Sequence, residues 1–498
     1  MAEGAAESVH SSDTHAVPGD DLGFMDATAL VEAFRLRKLS PVEVAMSLLE
    51  RIDKLNPLVN AVVHCNRQFT LAMAKAAEAR YQAQRPLSPL DGVPATIKDL
   101  SAVAGMPLLR GSRTRDPGTP VAEDAPYVAR LREAGVVFLA KTATPEAGCK
   151  VVTRSPVHGV TANPYDVTKT PGGSSGGASA ALALGFGPLA VGSDGAGSIR
   201  IPASSTNVFG LKPSFGRVPA FPPDIDMPLS VVGPMARTVQ DAALMLDVMS
   251  RPEPRDPFAW PIPFSMSTNL TDARLRGLKI AVSSRLGCTA PLQNAEVDRL
   301  VARAGAFAED SGAAIFEEDP IWPIDPFEPF DIFWSTSCMA TVDSAPRDKR
   351  SLIDPLLRRV AAAGRDVSAS AYLKALEQRM AISVAAKLFF DRFDLLIGPV
   401  MPVPPYSIER DVPEGFADED WRWCPYTYPW NMTGQPAASV PIGFTEDGLP
   451  IGAQIIGRLG EDEKVLRAAA AIERRCPLHL RRPPLLSNGP TARSGEDL

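Results

Sequence analysis

Two glycine-rich segments contain the serines best suited to attack a substrate. They are residues 171–177 and residues 192–200, and the second contains Ser198. Glycine at such density costs backbone entropy and is tolerated where a chain turns sharply or approaches a ligand closely. Several backbone N–H groups near Ser198 could then point into one cavity, as stabilisation of a tetrahedral oxyanion requires. A flexible linker is the alternative interpretation, but apolar structured segments flank both stretches. A phosphate-binding loop is disfavoured because no Gly-Lys-Ser/Thr follows the glycines.

A base for serine chemistry must come from a residue other than histidine. The chain has five histidines, of which His10 and His15 lie in a polar N-terminal stretch. It contains no H-E-x-x-H zinc motif and no G-x-S-x-G elbow followed by suitable partners. Lys98 follows the short apolar run 93–97, which allows its stem to be buried. A lone lysine after a strand more often lies at the surface, and both alternatives stay open. A buried lysine loses its proton readily because desolvation disfavours the cation, and the neutral amine is a competent base.

The order of these segments resembles the amidase signature family. The matching segments are 92–99, 141–146, 172–177, 194–203, 210–214, 233–238, 431–437 and 448–452. The resemblance covers most of residues 25–475 and is weakest between about 250 and 390. It implies a hydrolase that cleaves the C–N bond of a small amide-type substrate, and we expect neither a metal nor a cofactor.

The resemblance also implies a Ser–cisSer–Lys triad. Ser198 matches the nucleophile, Ser174 the relay serine on a cis peptide bond, and Lys98 the base. The separation between the two serines agrees with the family's spacing. We interpret Ser175 as a bystander or a helix cap.

The resemblance implies an oxyanion hole built from the loop before the nucleophile. Its expected donors are the backbone N–H groups of Gly195, Ala196, Gly197 and Ser198. Ala196 departs from the family, in which many members have two adjacent glycines before the nucleophile. Alanine keeps its N–H, but its methyl group excludes most positive-φ conformations, so the turn must suit an L-residue. We expect Asp194 and Arg200 to hold the shape of the loop.

Two groups of aromatic residues bear on the substrate. The first comprises Trp322, Phe327, Phe330, Phe333 and Trp334, and the second Trp421, Trp423, Tyr426, Tyr428 and Trp430. Each residue alone is best explained by core packing, but together they favour a wide apolar or aromatic site. Such a site suits anilides, aryl amides or fatty amides, and related carbamates and esters. It suits a small charged substrate less well.

Two other functions compete with this prediction. The glutaminase component of a tRNA-dependent amidotransferase would share the fold and triad, release ammonia from glutamine and need a partner protein. The aromatic groups and the lack of an obvious charged pocket argue against it. A catalytically inactive scaffold is the second competitor, and the presence of all three triad residues argues against it.

The pattern of elements predicts one large α/β domain over residues 23–480, with a central mixed, twisted sheet covered by helices on both faces. We expect a disordered tail at 1–22, a mobile tail at 481–498 and a variable substrate region at about 250–390. Helices are predicted from Ser40 to Asn56-Pro57, at about 67–84, from 174 or 175 to about 184, and at 295–309. Strands are predicted at 93–97, 136–140, 189–192, 278–282, 313–317 and 393–398.

Composition limits the class of protein. The 498 residues are 45% apolar and 22% charged, the mix of a globular protein, and the net charge of −7 argues against nucleic-acid binding.

The six scattered cysteines contain no C-x-x-C pair and are expected to be free thiols. We see no secretory signal and no membrane span, and predict a cytoplasmic monomer or homodimer.

Overall fold

The computed structural model describes residues 22–223, 229–265, 270, 274–417 and 420–487. The predicted tails therefore lie mostly outside the described residues, which leave out 1–21 and 488–498. At the C-terminal side, the Tyr165 hydroxyl donates to the carbonyl of Arg481 at 3.0 Å. Leu485 and Leu486 pack against a buried apolar cluster, so residues 481–487 lie on the body of the protein.

Thirteen helices and thirteen strands occur in the described residues. The helices are α1 (Ala27–Arg35), α2 (Pro41–Val59), α3 (Arg67–Gln82), α4 (Pro126–Glu133), α5 (Gly176–Ala183), α6 (Arg200–Ser205), α7 (Val239–Met249), α8 (Ala295–Asp310), α9 (Phe327–Ser344), α10 (Pro355–Arg365), α11 (Ala369–Arg392), α12 (Pro429–Met432) and α13 (Asp462–Arg475). The strands are β1 (Val62–His64), β2 (Pro94–Lys98), β3 (Val137–Thr142), β4 (Arg154–Ser155), β5 (Gly159–Val160), β6 (Leu189–Asp194), β7 (Phe209–Lys212), β8 (Val231–Ala236), β9 (Lys279–Val282), β10 (Ala314–Glu317), β11 (Leu395–Pro399), β12 (Ala437–Phe444) and β13 (Pro450–Gly457).

Eleven strands form one sheet in the order β1-β3-β2-β6-β8-β7-β12-β13-β11-β9-β10. The sheet is mixed, as predicted. Strand β2 is parallel to β3 and β6, and β9 is parallel to β10 and β11. The other strand pairs in this sheet are antiparallel. The short strands β4 and β5 pair separately.

Neighbouring residues of one strand point to opposite faces of a sheet, so a single strand shows whether both faces are buried. On β11, Leu395 and Ile397 pack into a cluster with α4, α7, α8 and α13. Leu396 between them packs into another cluster with Phe389 and Phe390 of α11. The sheet therefore lies between two helical layers, and loops at its strand ends position the chemistry.

Helix α2 begins where the sequence predicts. The Ser40 side chain accepts from the Glu43 N–H, and the Glu43 carboxylate accepts from the Ser40 N–H. The predicted end at Asn56-Pro57 is wrong, because the helix continues to Val59. Pro57 lies in the last turn, where a missing N–H removes one hydrogen bond only. The Asn60 N–H still donates to the Asn56 carbonyl, at 2.7 Å.

Three chain-wide features bear on the predicted class of protein. No helix within the described ranges is both long and apolar enough to cross a membrane. All six cysteines are described, and no disulfide joins any of them. Among the described side chains, no three of His, Cys, Asp or Glu group as metal ligands.

Candidate active site

Lys98 ends β2 and is completely buried. Its Nζ lies 2.7 Å from Ser174 Oγ and 2.8 Å from Ser175 Oγ. It lies 3.0 Å from Ser193 Oγ as well. The sheet explains the contact between Lys98 and Ser193, because β2 and β6 are parallel neighbours and Ser193 lies near the end of β6. The end of a central strand thus places the amine among three serine hydroxyls.

Two other lysines, Lys141 and Lys212, are just as completely buried. Lys141 pairs with Asp99 at 3.1 Å, and Lys212 donates to a backbone carbonyl. Burial lowers the pKa of Lys212 to about 7. Burial alone therefore does not identify a catalytic lysine in this fold, and the serine contacts of Lys98 are what distinguish it.

Ser174 and Ser175 occupy the turn before α5. The peptide bond between Gly173 and Ser174 is cis, which agrees with the expectation from the resemblance. Ser175 lies at the start of the helix, but its side chain makes no capping hydrogen bond. Its hydroxyl accepts from Lys98 instead. Ser175 is thus the N-cap residue of α5 by position, although its hydroxyl contacts Lys98 and does not cap the helix; that it is a bystander in the chemistry stays a prediction.

Ser198 follows a three-residue turn after β6 and is 7% exposed, compared with 2% for Ser174. The Ser175 N–H donates to the Ser198 carbonyl at 3.1 Å, which joins the two glycine-rich segments. Gly197 has a φ of +120°, whereas Ala196 is not among the residues with positive φ. The turn therefore suits an L-residue at 196, and the positive φ falls on glycine.

The N–H groups of this turn differ in their partners. The Gly197 N–H donates to Asp194 Oδ1 at 2.7 Å, so this group is engaged within the loop. Its predicted role as an oxyanion donor is not supported, because the buried carboxylate already takes it. The N–H groups of Gly195, Ala196 and Ser198 have no protein acceptor in the described part of the chain. These three remain the predicted donors.

A buried ion pair holds the loop. Arg200 Nη2 lies 2.8 Å from Asp194 Oδ1, and both side chains are completely buried. Burial by itself would raise the pKa of Asp194, but the charge and hydrogen bond of Arg200, the hydrogen bond of Asn431 and the charge of Lys212 together lower the pKa far below its ordinary value. Arg200 also donates to Asn431 and Gln454, which belong to the C-terminal half of the chain. The expected structural role of this pair is consistent with these contacts.

A cavity opens beside the two serines, and we call it the catalytic cavity. It contains about 580 Å³ of space between protein atoms, part of it open to solvent. Its lining includes Ser174, Ser193, Gly195, Ser198, Ser230, Arg110, Trp334, Ser337, Cys338, Thr341 and Leu357. The residues from α9 and α10 lie inside the predicted variable region. The sequence did not single out Arg110, Ser337 or Thr341, since isolated polar residues carry no spacing signal, and it included Ser193 only as part of the glycine-rich segment 192–200.

The aromatic residues serve mainly as core. Trp423, Tyr426 and Trp430 are completely buried, and the rings of Phe330 and Tyr428 stack 4.3 Å apart. From the two predicted groups, Trp334 lines the catalytic cavity. Core packing, the alternative interpretation, is thus correct for most of them. Of the residues expected to form a wide aromatic site, Trp334 is the one that lines the catalytic cavity within the described ranges.

Comparison with known proteins decides the family. The model of the Amidase family matches residues 43–466. The chain belongs to the amidase signature family. It is an amidohydrolase, which its family and its similarity to an acylamidase and an aryl acylamidase support.

Three relatives illustrate the range of this family. An acylamidase of Rhodococcus erythropolis is 34% identical over 467 residues, covering 91% of this chain and 96% of the relative. The crystal structure of a bacterial aryl acylamidase of the amidase signature family superposes with a TM-score of 0.85 at 31% identity, covering 91% and 97% of the two chains. A glutamyl-tRNA(Gln) amidotransferase chain of Myxococcus xanthus (strain DK1622) is 34% identical over 497 residues, covering 92% and 99%.

Proposed function

We propose that this amidase hydrolyses acyl amides, anilides among them, through an acyl-enzyme on Ser198. The observation that carries the proposal is the 2.7 Å contact between Lys98 Nζ and Ser174 Oγ beside a cavity that Ser174 and Ser198 both line. A nucleophile, a proton carrier and a nitrogen base are the groups that acyl transfer by serine requires.

Acylation starts with Lys98 as a neutral amine. Its lone pair takes the proton of Ser174, and Ser174 takes the proton of Ser198. The Ser198 oxygen forms a bond to the carbonyl carbon, and the C=O π electrons move to the carbonyl oxygen. The N–H groups of Gly195, Ala196 and Ser198 stabilise that negative charge, each contributing about 10²–10³ in rate.

Breakdown of the tetrahedral intermediate returns the proton. The C=O bond re-forms, the C–N bond breaks, and the leaving nitrogen takes a proton from Ser174, which recovers one from Lys98. Water then enters, loses its proton along the same relay and attacks the acyl carbon. Collapse of the second intermediate releases the acid and re-protonates Ser198.

The substrate class is inferred from the lining of the catalytic cavity. Trp334 offers an aromatic face, and its ring is packed against Phe330 at 5.8 Å and Trp421 at 5.9 Å, so it is held in place. An aryl or apolar group on the substrate would contact this indole. The similarity to the named acylamidase and aryl acylamidase supports the same class. Carbamates and esters of similar shape are further candidates, because the same relay serves them.

Glutamine hydrolysis as part of an amidotransferase is the second candidate. The similarity to the amidotransferase chain of Myxococcus xanthus favours it. A charged residue, Arg110, lines the catalytic cavity, so the expected lack of a charged pocket no longer counts against glutamine. The acylamidase proposal is preferred because Trp334 lines the same cavity as Ser174 and Ser198.

A hydrolysis panel tests the proposal. It compares an anilide, a primary fatty amide, an aryl ester, a carbamate and glutamine, with the wild-type protein, Ser198→Ala and Ser179→Ala. Ser179 lies on α5, where its hydroxyl donates to a backbone carbonyl, and it is a matched serine control. We expect the anilide to be cleaved faster than glutamine, Ser198→Ala to be inactive and Ser179→Ala to be active. Faster cleavage of glutamine would favour the second candidate, and full activity of Ser198→Ala would refute the mechanism.

A further inference from the structure

One face of α9 forms a wall of the catalytic cavity. Trp334, Ser337, Cys338 and Thr341 line the cavity. Their spacing of i, i+3, i+4 and i+7 places them on the same side of the helix. A helix rises about 1.5 Å per residue, so Ser337 and Thr341 are about 6 Å apart along its axis. The wall therefore presents an indole and two hydroxyl groups on successive turns, within the same cavity as Ser198.

The two hydroxyl groups on this wall differ in their bonding from their neighbours in α9. A serine or threonine inside a helix can donate to a carbonyl three or four residues earlier. Thr336 donates to the Ile332 carbonyl at 2.7 Å, and Ser335 donates to the same carbonyl at 3.4 Å. The Ser337 and Thr341 hydroxyls have no hydrogen-bond partner in the described part of the chain. The hydroxyl groups that line the cavity are thus available to a molecule inside it.

The surroundings of these hydroxyl groups favour a bond to the substrate. Both residues are half-buried, and Trp334, Cys338 and Leu357 add apolar side chains to the lining of the same cavity. A substrate that fills the cavity displaces water from the hydroxyl groups, and a desolvated polar group without a partner weakens the complex. A polar substrate group replaces the lost water, whereas an apolar group of equal shape does not. The wall therefore distinguishes polar from apolar groups of the same size.

The chemistry of a hydroxyl indicates which substrate group it would bind. A hydroxyl is uncharged, and it both donates and accepts hydrogen bonds. An uncharged group with a donor and an acceptor is therefore its closest match, and a carboxamide is a simple example.

We propose that Ser337 and Thr341 determine specificity. The preferred substrates carry, besides the scissile amide, an uncharged group such as a carboxamide that bonds to these two hydroxyls while the scissile carbonyl lies at Ser198. This inference rests on the proposed function, because it places the scissile amide at Ser198. It assigns Ser337 and Thr341 no part in the chemical step.

Two matched pairs of anilides test the inference, with release of the aniline as the measurement. On the acyl side, 4-carbamoyl-N-phenylbutanamide is compared with 5-methyl-N-phenylhexanamide. On the amine side, 4-acetamidobenzamide is compared with 4-isopropylacetanilide. In each pair an isopropyl group replaces a carboxamide of similar shape. We expect the carboxamide member of at least one pair to have the higher kcat/KM, by about threefold or more.

Substitutions on α9 assign the preference to its residues. Ser337→Ala and Thr341→Val each remove one hydroxyl and nearly keep the shape of the side chain. Each should lower the ratio of kcat/KM between the carboxamide and isopropyl members by about 3–10-fold and leave the isopropyl member within about twofold of wild type. Comparing this ratio between variants cancels the intrinsic reactivity of each anilide. Ser335→Ala and Thr336→Val are the matched controls, because their hydroxyls bond within the helix, and they should leave the ratio unchanged.

The outcomes separate this inference from the proposed function. Isopropyl members that are cleaved as fast as the carboxamide members in both pairs, or faster, overturn the inference and leave the proposed function standing. A carboxamide preference that both Ser337→Ala and Thr341→Val retain also overturns it, and so does an equal loss of preference in the two controls. Absence of cleavage of every anilide by the wild-type protein refutes the proposed function itself. Either cavity variant keeps the test decisive if the other fails to fold, because each removes a hydroxyl of the same wall.

Discussion

The backbone N–H of Ser175 donates to the carbonyl oxygen of Ser198 at 3.1 Å. This bond joins the turn that contains Ser174, the proposed relay serine, to the turn that contains Ser198, the proposed nucleophile. Lys98 reaches the first turn through Ser174 Oγ and Ser175 Oγ, at 2.7 and 2.8 Å. Three segments distant in sequence therefore meet in one hydrogen-bonded group, and the contribution of each member can be measured separately.

The two adjacent serines should contribute very differently to catalysis. Ser174→Ala removes the proposed proton carrier and should lower kcat on an anilide by about 10²–10⁴-fold. Ser175→Ala removes one contact of Lys98, which keeps Ser174 and Ser193, so its loss should stay below about tenfold. Steady-state kinetics on both variants checks this. Equal losses would mean that Ser175 carries protons as well.

The two residues before the nucleophile should tolerate change unequally. Gly197 has a φ of +120°, and a Cβ there would lie 2.5 Å from Thr427 Oγ1. Gly197→Ala should therefore displace the turn and lower kcat by about 10²-fold or more, since the neighbouring donors move with it. Ala196→Gly keeps every N–H and should retain activity within about threefold. A fully active Gly197→Ala enzyme would contradict the assigned turn geometry.

The buried ion pair should matter for folding. Arg200→Met leaves the buried Asp194 carboxylate without its closest cation, so the free energy of unfolding should fall by about 3–5 kcal/mol. Arg365→Met breaks an exposed pair with Asp343 and is the control, with little change expected. Urea unfolding of both variants measures the difference. Similar stabilities for Arg200→Met and the wild-type protein would show that the pair is not needed for the fold.

Stability should fall with rising pH because of Asp241. Its side chain is completely buried, and burial raises the pKa of its carboxyl from 3.8 to about 7. Between these values the folded state binds more protons than the unfolded state, so stability decreases as the pH rises through that window. Asp241→Asn does not titrate and keeps an oxygen for the Ala27 N–H. Its Tm should decline less than that of the wild type between about pH 5 and about pH 8. If the Tm of Asp241→Asn and of the wild-type protein fell equally with rising pH, Asp241 would not be the cause of the pH dependence.

Sequence patterns predict the elements of this fold well where the signals are local. The capping box at Ser40 and Glu43 defines the start of α2, and the glycine-rich segments mark both turns of the candidate site. The end of α2 was misplaced because Pro57 lies in a last turn that tolerates it. Local rules thus identify elements more reliably than their boundaries.

Features that depend on tertiary packing could not be read from the sequence. Ser193 contacts Lys98 because β2 and β6 are neighbours in the sheet, and the Ser175 hydroxyl lies beside it, 3.2 Å from the Ser193 carbonyl; no spacing encodes either contact. Gly197 was assigned as an oxyanion donor, yet the carboxylate of Asp194 takes its N–H. The two aromatic groups predicted a substrate site because a buried core and the lining of an apolar cavity favour the same residue types, so the sequence does not distinguish them.

Covalent labelling tests the role of Ser198 as the activated nucleophile most directly. A fluorophosphonate reacts with an activated serine, and peptide mapping by mass spectrometry locates the adduct. We expect a single adduct on Ser198 of the wild-type protein, none on Ser198→Ala, and labelling at least about 10²-fold slower in Lys98→Met. An adduct on another serine, or wild-type labelling of Ser198→Ala, would contradict the proposed mechanism.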